Sequence, residues 1–375
     1  MAAPHFSSNR NSERTVPYQI ESVDRACRII RVLQEADKLP LFELAELAGL
    51  SRSTAFRLLA TLQTNGLVLR DSNRRYQLSQ SFGSNRRYRI GYLAETGVTS
   101  FYNALAQGLI KSAEQAGIDL IVMDNDSQHC PEVALTNAKR LIAEDIELAI
   151  MCQSYTQAAT AISTHANRRK IPIIAIEIPH PNAIYFGVNN CLAGLTAGRH
   201  LARWAQQRWK GEVDEILLIG SSRNRSLSEA RLTGSLLGIN EVLPNSSHTK
   251  TTMIDGDWQL EASREAVKRH LDKSKASRIL VSAIFDPSAL GALQAFKDME
   301  RLHNCAIVGQ NGSSEALLQM RKPNSRLIGT VAYFPERFGE ELIPLAMDVL
   351  TRRASVPNAV FIKHQLLTPA NLKQH

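Results

Sequence analysis

Arg52 and Arg57, with Ser53 and Thr54 beside them, are the first side chains in this sequence whose types and spacing suggest a chemical task. A guanidinium can hold guanine O6 and N7 together, and hydroxyls serve base edges or phosphate oxygens, so such a set on one helix suits the major groove of duplex DNA. Thr54 fits a helix start or a phosphate contact better than base reading, and Phe56 is expected at the edge of a core rather than in contact with a base. Further on, Arg74 and Arg75 follow a turn at Asp71, Ser72 and Asn73, where a basic tip suits phosphate or minor-groove contact. An ordinary solvated helix would carry the same arginines, so the flanking elements have to decide.

Residues 39–67 read as a helix, a tight turn and a second helix. Gly49 allows the left-handed geometry that ends a helix, and Ser51 offers a hydroxyl to cap the next. From there Ala55, Leu58, Leu59 and Leu62 fall on one face, with Ser53, Arg57, Thr61 and Thr64 on another. A preceding helix, capped by Ser22, has Val23, Ala26, Ile29, Ile30 and Leu33 as its apolar face. After Gly66, LVLRDSNRRYQLS alternates as a two-stranded hairpin. Three helices and a wing make a winged helix-turn-helix over residues 21–80, with residues 1–20 as a flexible arm and the Ser/Asn-rich stretch 81–87 as a linker.

Charge is distributed accordingly. Of the net +8, residues 1–89 carry fourteen Lys and Arg against eight Asp and Glu, while the remainder has thirty against twenty-eight. The front quarter therefore favours an anionic partner. Cys27, Cys130, Cys152, Cys191 and Cys305 are odd in number and widely spaced, which fits free thiols in a reducing compartment better than a metal or disulfide framework. The first residues contain no continuous apolar segment and no later run is long enough to span a bilayer, so a cytoplasmic location is expected. Catalytic signatures are missing: there is no phosphate-binding G-x-x-x-x-G-K-[ST], no G-x-S-x-G and no H-E-x-x-H, and Asp124 with Asp126 reads as a solvated turn. No cofactor or metal is expected.

From residue 88 the period changes. RYRIGYLAE, IDLIVMD, IELAIMC and IPIIAIEI read as buried strands separated by helices at 104–116, 131–144 and 155–168, followed by a short strand at 183–188. A long helix at 192–209 opens a second series of strands, DEILLIG, TTMIDG, SRILVSAIF, CAIVG and RLIGTVAY, and AVFIKHQLL closes the chain as one more. Strands alternating with helices of this length form parallel sheets. The expected fold is α/β: two Rossmann-like lobes, one of residues 88–191 with 335–352 and one of 192–334 with the last strand. Their strand ends face a shared cleft.

Two family resemblances follow. SVDRACRIIRVLQ, LAELAGLSRSTAFRLLATLQTNGLVLRD and YQLS resemble the DNA-binding domain of IclR-type transcription regulators. Residues 88–370 resemble the type I periplasmic sugar-binding fold, shared with the effector domains of the LacI family, in Thr99-Ser100-Phe101-Tyr102, IPIIAIE, Asn189-Asn190, Arg231-x-x-Gly234, DPSALGAL, IVGQNG and TVAYFPERFG. The second resemblance implies a ligand site of Phe101, Tyr102, Glu177, Arg231, Trp258, Asp286, Asn311 and Tyr333. The sequence departs from the family pattern at Ile178, Phe285, Asn311 and Tyr333, which implies a more aromatic pocket than a ribose site. Together they imply a ligand-responsive regulator that binds operator DNA, senses a sugar-like molecule and works as a homodimer or higher homo-oligomer away from membranes. The competing expectations are an enzyme of sugar or nucleotide metabolism with a fused regulatory domain, and a ligand-binding module whose basic head contacts a protein or membrane.

Overall fold

The computed structural model describes residues 20–36, 38–71, 73–79, 88–97, 99–125, 130–222, 225–351 and 355–372. The expected arm, the linker at 81–87, Ser72 of the turn and Asp126 lie outside these residues, apart from Ile20. The chain divides into two compact units at residues 86 and 87.

In the first unit, α1 (Glu21–Glu35), α2 (Leu41–Leu47) and α3 (Arg52–Thr64) pack around Ile29, Leu44, Leu59 and Leu62. Strands β1 (Leu39–Pro40), β2 (Val68–Arg70) and β3 (Arg75–Leu78) form a small antiparallel sheet in the order β1-β3-β2. Gly49 and Gly66 end α2 and α3 at φ +64° and +70°. In each case the next residue donates back into the helix, Leu50 N–H to the Ala45 carbonyl and Leu67 N–H to that of Leu62, both at 2.9 Å. Ser51 caps α3 by accepting the Thr54 N–H at 3.2 Å. Ser22, in contrast, lies inside the first turn of α1, whose cap position is Ile20 with no side-chain bond.

The second unit contains two six-stranded sheets. Lobe 1 holds β4 (Arg89–Ala94), β5 (Asp119–Asp124), β6 (Leu148–Cys152), β7 (Ile173–Ile176), β8 (Ile184–Gly187) and β14 (Ala359–Phe361), in the order β14-β8-β7-β6-β4-β5. Lobe 2 holds β9 (Glu215–Gly220), β10 (Lys250–Asp255), β11 (Ile279–Ala283), β12 (Cys305–Asn311), β13 (Leu327–Ala332) and β15 (Gln365–Leu367), in the order β10-β9-β11-β12-β13-β15. All neighbouring strands are parallel except β13 and β15. The closing segment expected as one strand is thus two: β14 joins lobe 1 and β15 joins lobe 2, because the chain crosses between the lobes in the intervening residues.

The helices are α4 (Ser100–Gln115), α5 (Pro131–Ala143), α6 (Thr156–Arg168), α7 (Asn190–Trp209), α8 (Arg225–Val242), α9 (Leu260–Leu271), α10 (Asp286–Asp298), α11 (Ser314–Met320) and α12 (Phe338–Thr351). α4 starts four residues earlier than expected, so Phe101 and Tyr102 occupy its first turn. The tightest packing is between α7 and α8. A Cβ added at Gly194 would sit 2.0 Å from the Arg231 carbonyl oxygen, and one at Gly198 2.0 Å from that of Ser235. Only glycine allows backbones this close, and the contact fixes the stretch of α8 that carries Arg231.

Candidate functional site: a cleft between the lobes and an exposed helix face

The carboxyl ends of both strand sets meet a cavity of about 520 Å³. Phe101, Tyr102, Glu177, Arg231, Trp258 and Asn311 line it, with Phe285, Leu227, Leu290, Glu315 and Glu336 completing the wall. Phe101 and Tyr102 stand edge to face at 5.4 Å, and Trp258 meets Phe285 in the same way at 5.8 Å. An aromatic pair from each lobe therefore faces the cavity. Aromatic faces of this kind pack against the C–H groups of a ligand, and the Tyr102 hydroxyl and Trp258 N–H add polar tips. Phe285 was not among the expected ligand contacts, although its position at the end of a buried strand, in place of a small polar residue, carried the signal.

Arg231 is the centre of the wall. Its Nε donates to Asn190 Oδ1 at 2.8 Å and its Nη1 to the Ile284 carbonyl at 2.9 Å, while Nη2 lies 3.7 Å from Glu177 Oε2. The guanidinium carbon also stands 5.1 Å and 5.0 Å from the ring centres of Phe285 and Tyr333. Both charges are buried, with 2% of Arg231 and 7% of Glu177 exposed. Burial pushes the Glu177 carboxyl above its ordinary range, and the Arg231 charge and the Val188 N–H, which Oε1 accepts at 3.0 Å, oppose that shift. Oε2 has no hydrogen-bond partner. Buried polar atoms left in this condition favour any ligand hydroxyl that reaches them.

Backbone strain collects at the same wall. Glu177, Trp258 and Asn311 have φ of +61°, +62° and +111°, values that cost a side-chain-bearing residue on the order of 1–3 kcal/mol. Behind Tyr102, whose hydroxyl lies 3.3 Å from Ser154 Oγ, the Glu95 carboxylate accepts the Ser154 N–H at 2.9 Å and the Ser154 hydroxyl. Burial raises the Glu95 pKa, and the Ser154 bonds oppose this. Nothing in the sequence pattern marked Glu95 as part of this support.

Of the expected set, Asp286 and Tyr333 do not line the cavity in this structure. Asp286 is fully buried at the start of α10, where its carboxylate accepts the Thr330 hydroxyl at 2.7 Å and the Ser313 N–H at 2.6 Å. It anchors the loop that presents Asn311. Burial raises its pKa to about 7, against the opposing bonds from Thr330 and Ser313. Tyr333 is 2% exposed, donates its hydroxyl to Gln310 Oε1 and offers its face to Arg231.

In the first unit, α3 exposes Arg52, Ser53, Phe56, Arg57 and Thr64. Neither Arg52 nor Arg57 has a side-chain partner among the described residues, and α3 contains no acidic residue. Ser53 Oγ lies 3.1 Å from Ser51 Oγ, and Thr54 Oγ1 accepts from Ser51 at 2.8 Å, so both hydroxyls belong to the cap of the helix. Arg74 is exposed at φ +64° on the wing. Arg75 is ion-paired with Asp71 at 3.2 Å, and Asp71 Oδ1 also accepts the Asn73 and Arg75 N–H groups at 2.9 Å. Those bonds, the Arg75 N–H first, hold the Asp71 pKa below its ordinary value. Phe56 is half exposed, which corrects its expected place at the edge of the core.

Fold and site together define a two-lobe α/β domain with a cleft between its lobes, preceded by a winged helix-turn-helix. The family model of the periplasmic binding protein domain matches residues 90–354, and that of the IclR helix-turn-helix domain matches residues 22–72. The chain belongs to the periplasmic binding protein family and carries an IclR-type head. The ribose import binding protein RbsB of Salmonella typhimurium (strain LT2) is 23% identical over 267 residues, which are 70% of this chain and 84% of that protein. An ABC transporter periplasmic solute binding protein from Actinobacillus succinogenes 130z with bound D-allose superimposes with a TM-score of 0.65 at 19% identity, covering 77% of this chain and 100% of its own. An ABC transporter solute binding protein from Bacillus halodurans C-125 with bound myo-inositol gives 0.65 at 18% identity, covering 78% and 98%. These structural likenesses establish the fold. Among the described residues no helix is long and apolar enough to cross a membrane, and no group of three or more His, Cys, Asp or Glu could hold a metal ion.

Proposed function

We propose that this protein is a transcription regulator that binds double-stranded DNA through α3 and the wing and senses a sugar-like molecule in the cleft. The observation that carries the reading is the union, in one chain, of an acid-free α3 face with two unpartnered arginines and a cleft walled by aromatic pairs around a buried ion pair. A basic face of this kind has phosphates and guanine edges as its natural partners. The aromatic walls and the unpartnered Glu177 oxygen suit a polyhydroxylated ring, and the sugars bound by the structural relatives support that class. Glu177 and Arg231 come from different lobes, so a ligand that reaches both couples lobe closure to occupancy, and through the chain to the head.

In this reading the protein acts in the cytoplasm, as a homodimer on paired half-sites, without catalysis. Selection from a random-sequence DNA duplex pool, followed by fluorescence anisotropy at two salt concentrations, tests the DNA half. The expected result is enrichment of one motif with affinity that falls as salt rises. Failure to enrich any sequence would remove the regulator. A thermal-shift screen with monosaccharides and cyclitols tests the sensor half.

A further inference from the structure

We infer that Phe56 reads a thymine: its ring contacts a C5-methyl group in the major groove within about two base pairs of the guanine taken by Arg52 or Arg57. The inference rests on the DNA-binding reading above and adds the base that an apolar side chain would select.

Phe56 is a large apolar residue at the exposed border of α3, at 50% exposure, whereas Ala55, Leu59 and Leu62 turn into the core. Single exposed apolar residues are common on protein surfaces and by themselves mean little. This one differs in its neighbours. Arg52 precedes it by four residues, and Ser53 and Arg57 form the adjacent pair at the same spacing, so two arginines flank the ring on one surface. Neither arginine has a partner among the described residues, and the 13 residues of α3 include no acid that would oppose a phosphate-lined groove. The face is thus complementary in charge to a polyanion and apolar at its middle.

The major groove offers one apolar feature that distinguishes base pairs, the thymine methyl, and Phe is among the side chains that contact it. The distances agree. Four helical residues advance about 6 Å along the axis, and successive base pairs advance 3.4 Å, so a ring one turn from Arg52 falls within about two base pairs of the arginine's base. Ala60, exposed one turn further on, presents only a methyl group and leaves room for the ring to lie in the groove. A protein partner is the other occupant an exposed Phe could have, but two free guanidinium groups beside it would then have to be desolvated or matched by acids.

The test uses the full-length chain. Duplexes are selected from a random pool by wild type and by Phe56→Ala, and each thymine of the wild-type motif is then replaced singly by deoxyuridine, which removes only the methyl group. Wild type is expected to lose about fourfold in affinity at one such position, the factor that one buried methyl contributes, while Phe56→Ala binds the two duplexes equally. Wild type indifferent to every replacement, or Phe56→Ala that keeps the wild-type ratio, would overturn the inference while leaving DNA binding intact. A change in the oligomeric state of Phe56→Ala, with the ratio unchanged, would overturn it in favour of a protein contact. No enriched motif for wild type would instead bring down the DNA-binding reading and this inference together. Because Phe56 lies outside the core, circular dichroism of the variant should match wild type, and Phe56→Leu is expected to keep part of the discrimination.

Discussion

Arg231 Nη2 and Glu177 Oε2 stand 3.7 Å apart across the two lobes, both buried, and the carboxylate oxygen has no other partner. Removing one member of such a pair strands the other in a medium that solvates it poorly. Arg231→Met is expected to destabilise the second unit by about 3–5 kcal/mol in urea unfolding. Adding Glu177→Gln should recover part of the loss, since it removes the stranded carboxylate. A double variant no more stable than Arg231→Met would show that the pair is not coupled.

α8 can hold Arg231 in place only while α7 lies against it. Gly198→Ala would put a methyl carbon 2.0 Å from the Ser235 carbonyl, so the helices must part, at a cost of about 1–3 kcal/mol. A lower Tm and a weaker thermal shift with sugar are the expected readouts. An unchanged Tm would mean that the helices part freely.

Asp286 makes stability depend on pH. Its carboxyl titrates at 3.8 when unfolded and is pushed up to about 7 when folded, so the two states are equally protonated only well below pH 3.8. As pH rises from 4 to 7 the unfolded chain ionises first, and folding loses stability on the order of 4 kcal/mol from this group. Asp286→Asn should flatten the decline over that window in chemical denaturation. The same slope in the variant would place the titration elsewhere.

Trp258 tests the cleft wall without touching the head. Trp258→Ala is expected to shift the sugar dose response at least tenfold to higher concentration, given the aromatic surface lost, and to leave ligand-free DNA affinity unchanged. A normal dose response would remove Trp258 from the site.

Arg57 tests the other end. Arg57→Ala should lower affinity for the selected motif by about 1–3 kcal/mol and relax it at one base. Equal discrimination between motif and random duplex would take Arg57 out of the reading set.

What the sequence revealed in advance was mostly local. Ser51 capping α3 and Gly49 ending α2 depend on a few neighbouring residues, and the strand and helix periods of the second unit are similarly explicit. Within the cleft, Phe101, Tyr102, Glu177, Arg231, Trp258 and Asn311 were reachable through family resemblance, which carries long-range geometry that periodicity does not. Asp286 and Tyr333 occupy the strand ends that the resemblance indicated, but burial gave them internal partners, Thr330 and Gln310. Glu95 beneath Tyr102 arises only when β4 and β6 lie side by side. Phe56 was misplaced because its position on the helical wheel borders both faces, and only packing settles which one it joins. The division of the last strand depends on where the chain crosses between the lobes, which no local pattern encodes.

Cleft and α3 face are expected to act as one coupled device. The most direct measurement is the Kd of the full-length protein for its selected duplex, by fluorescence anisotropy, with and without a sugar that raises its Tm. Coupling predicts a change of fivefold or more, in either direction, with the duplex shifting the sugar's affinity by the same factor. A sugar that stabilises the protein yet leaves the DNA Kd unchanged would show that the cleft and the DNA face are uncoupled.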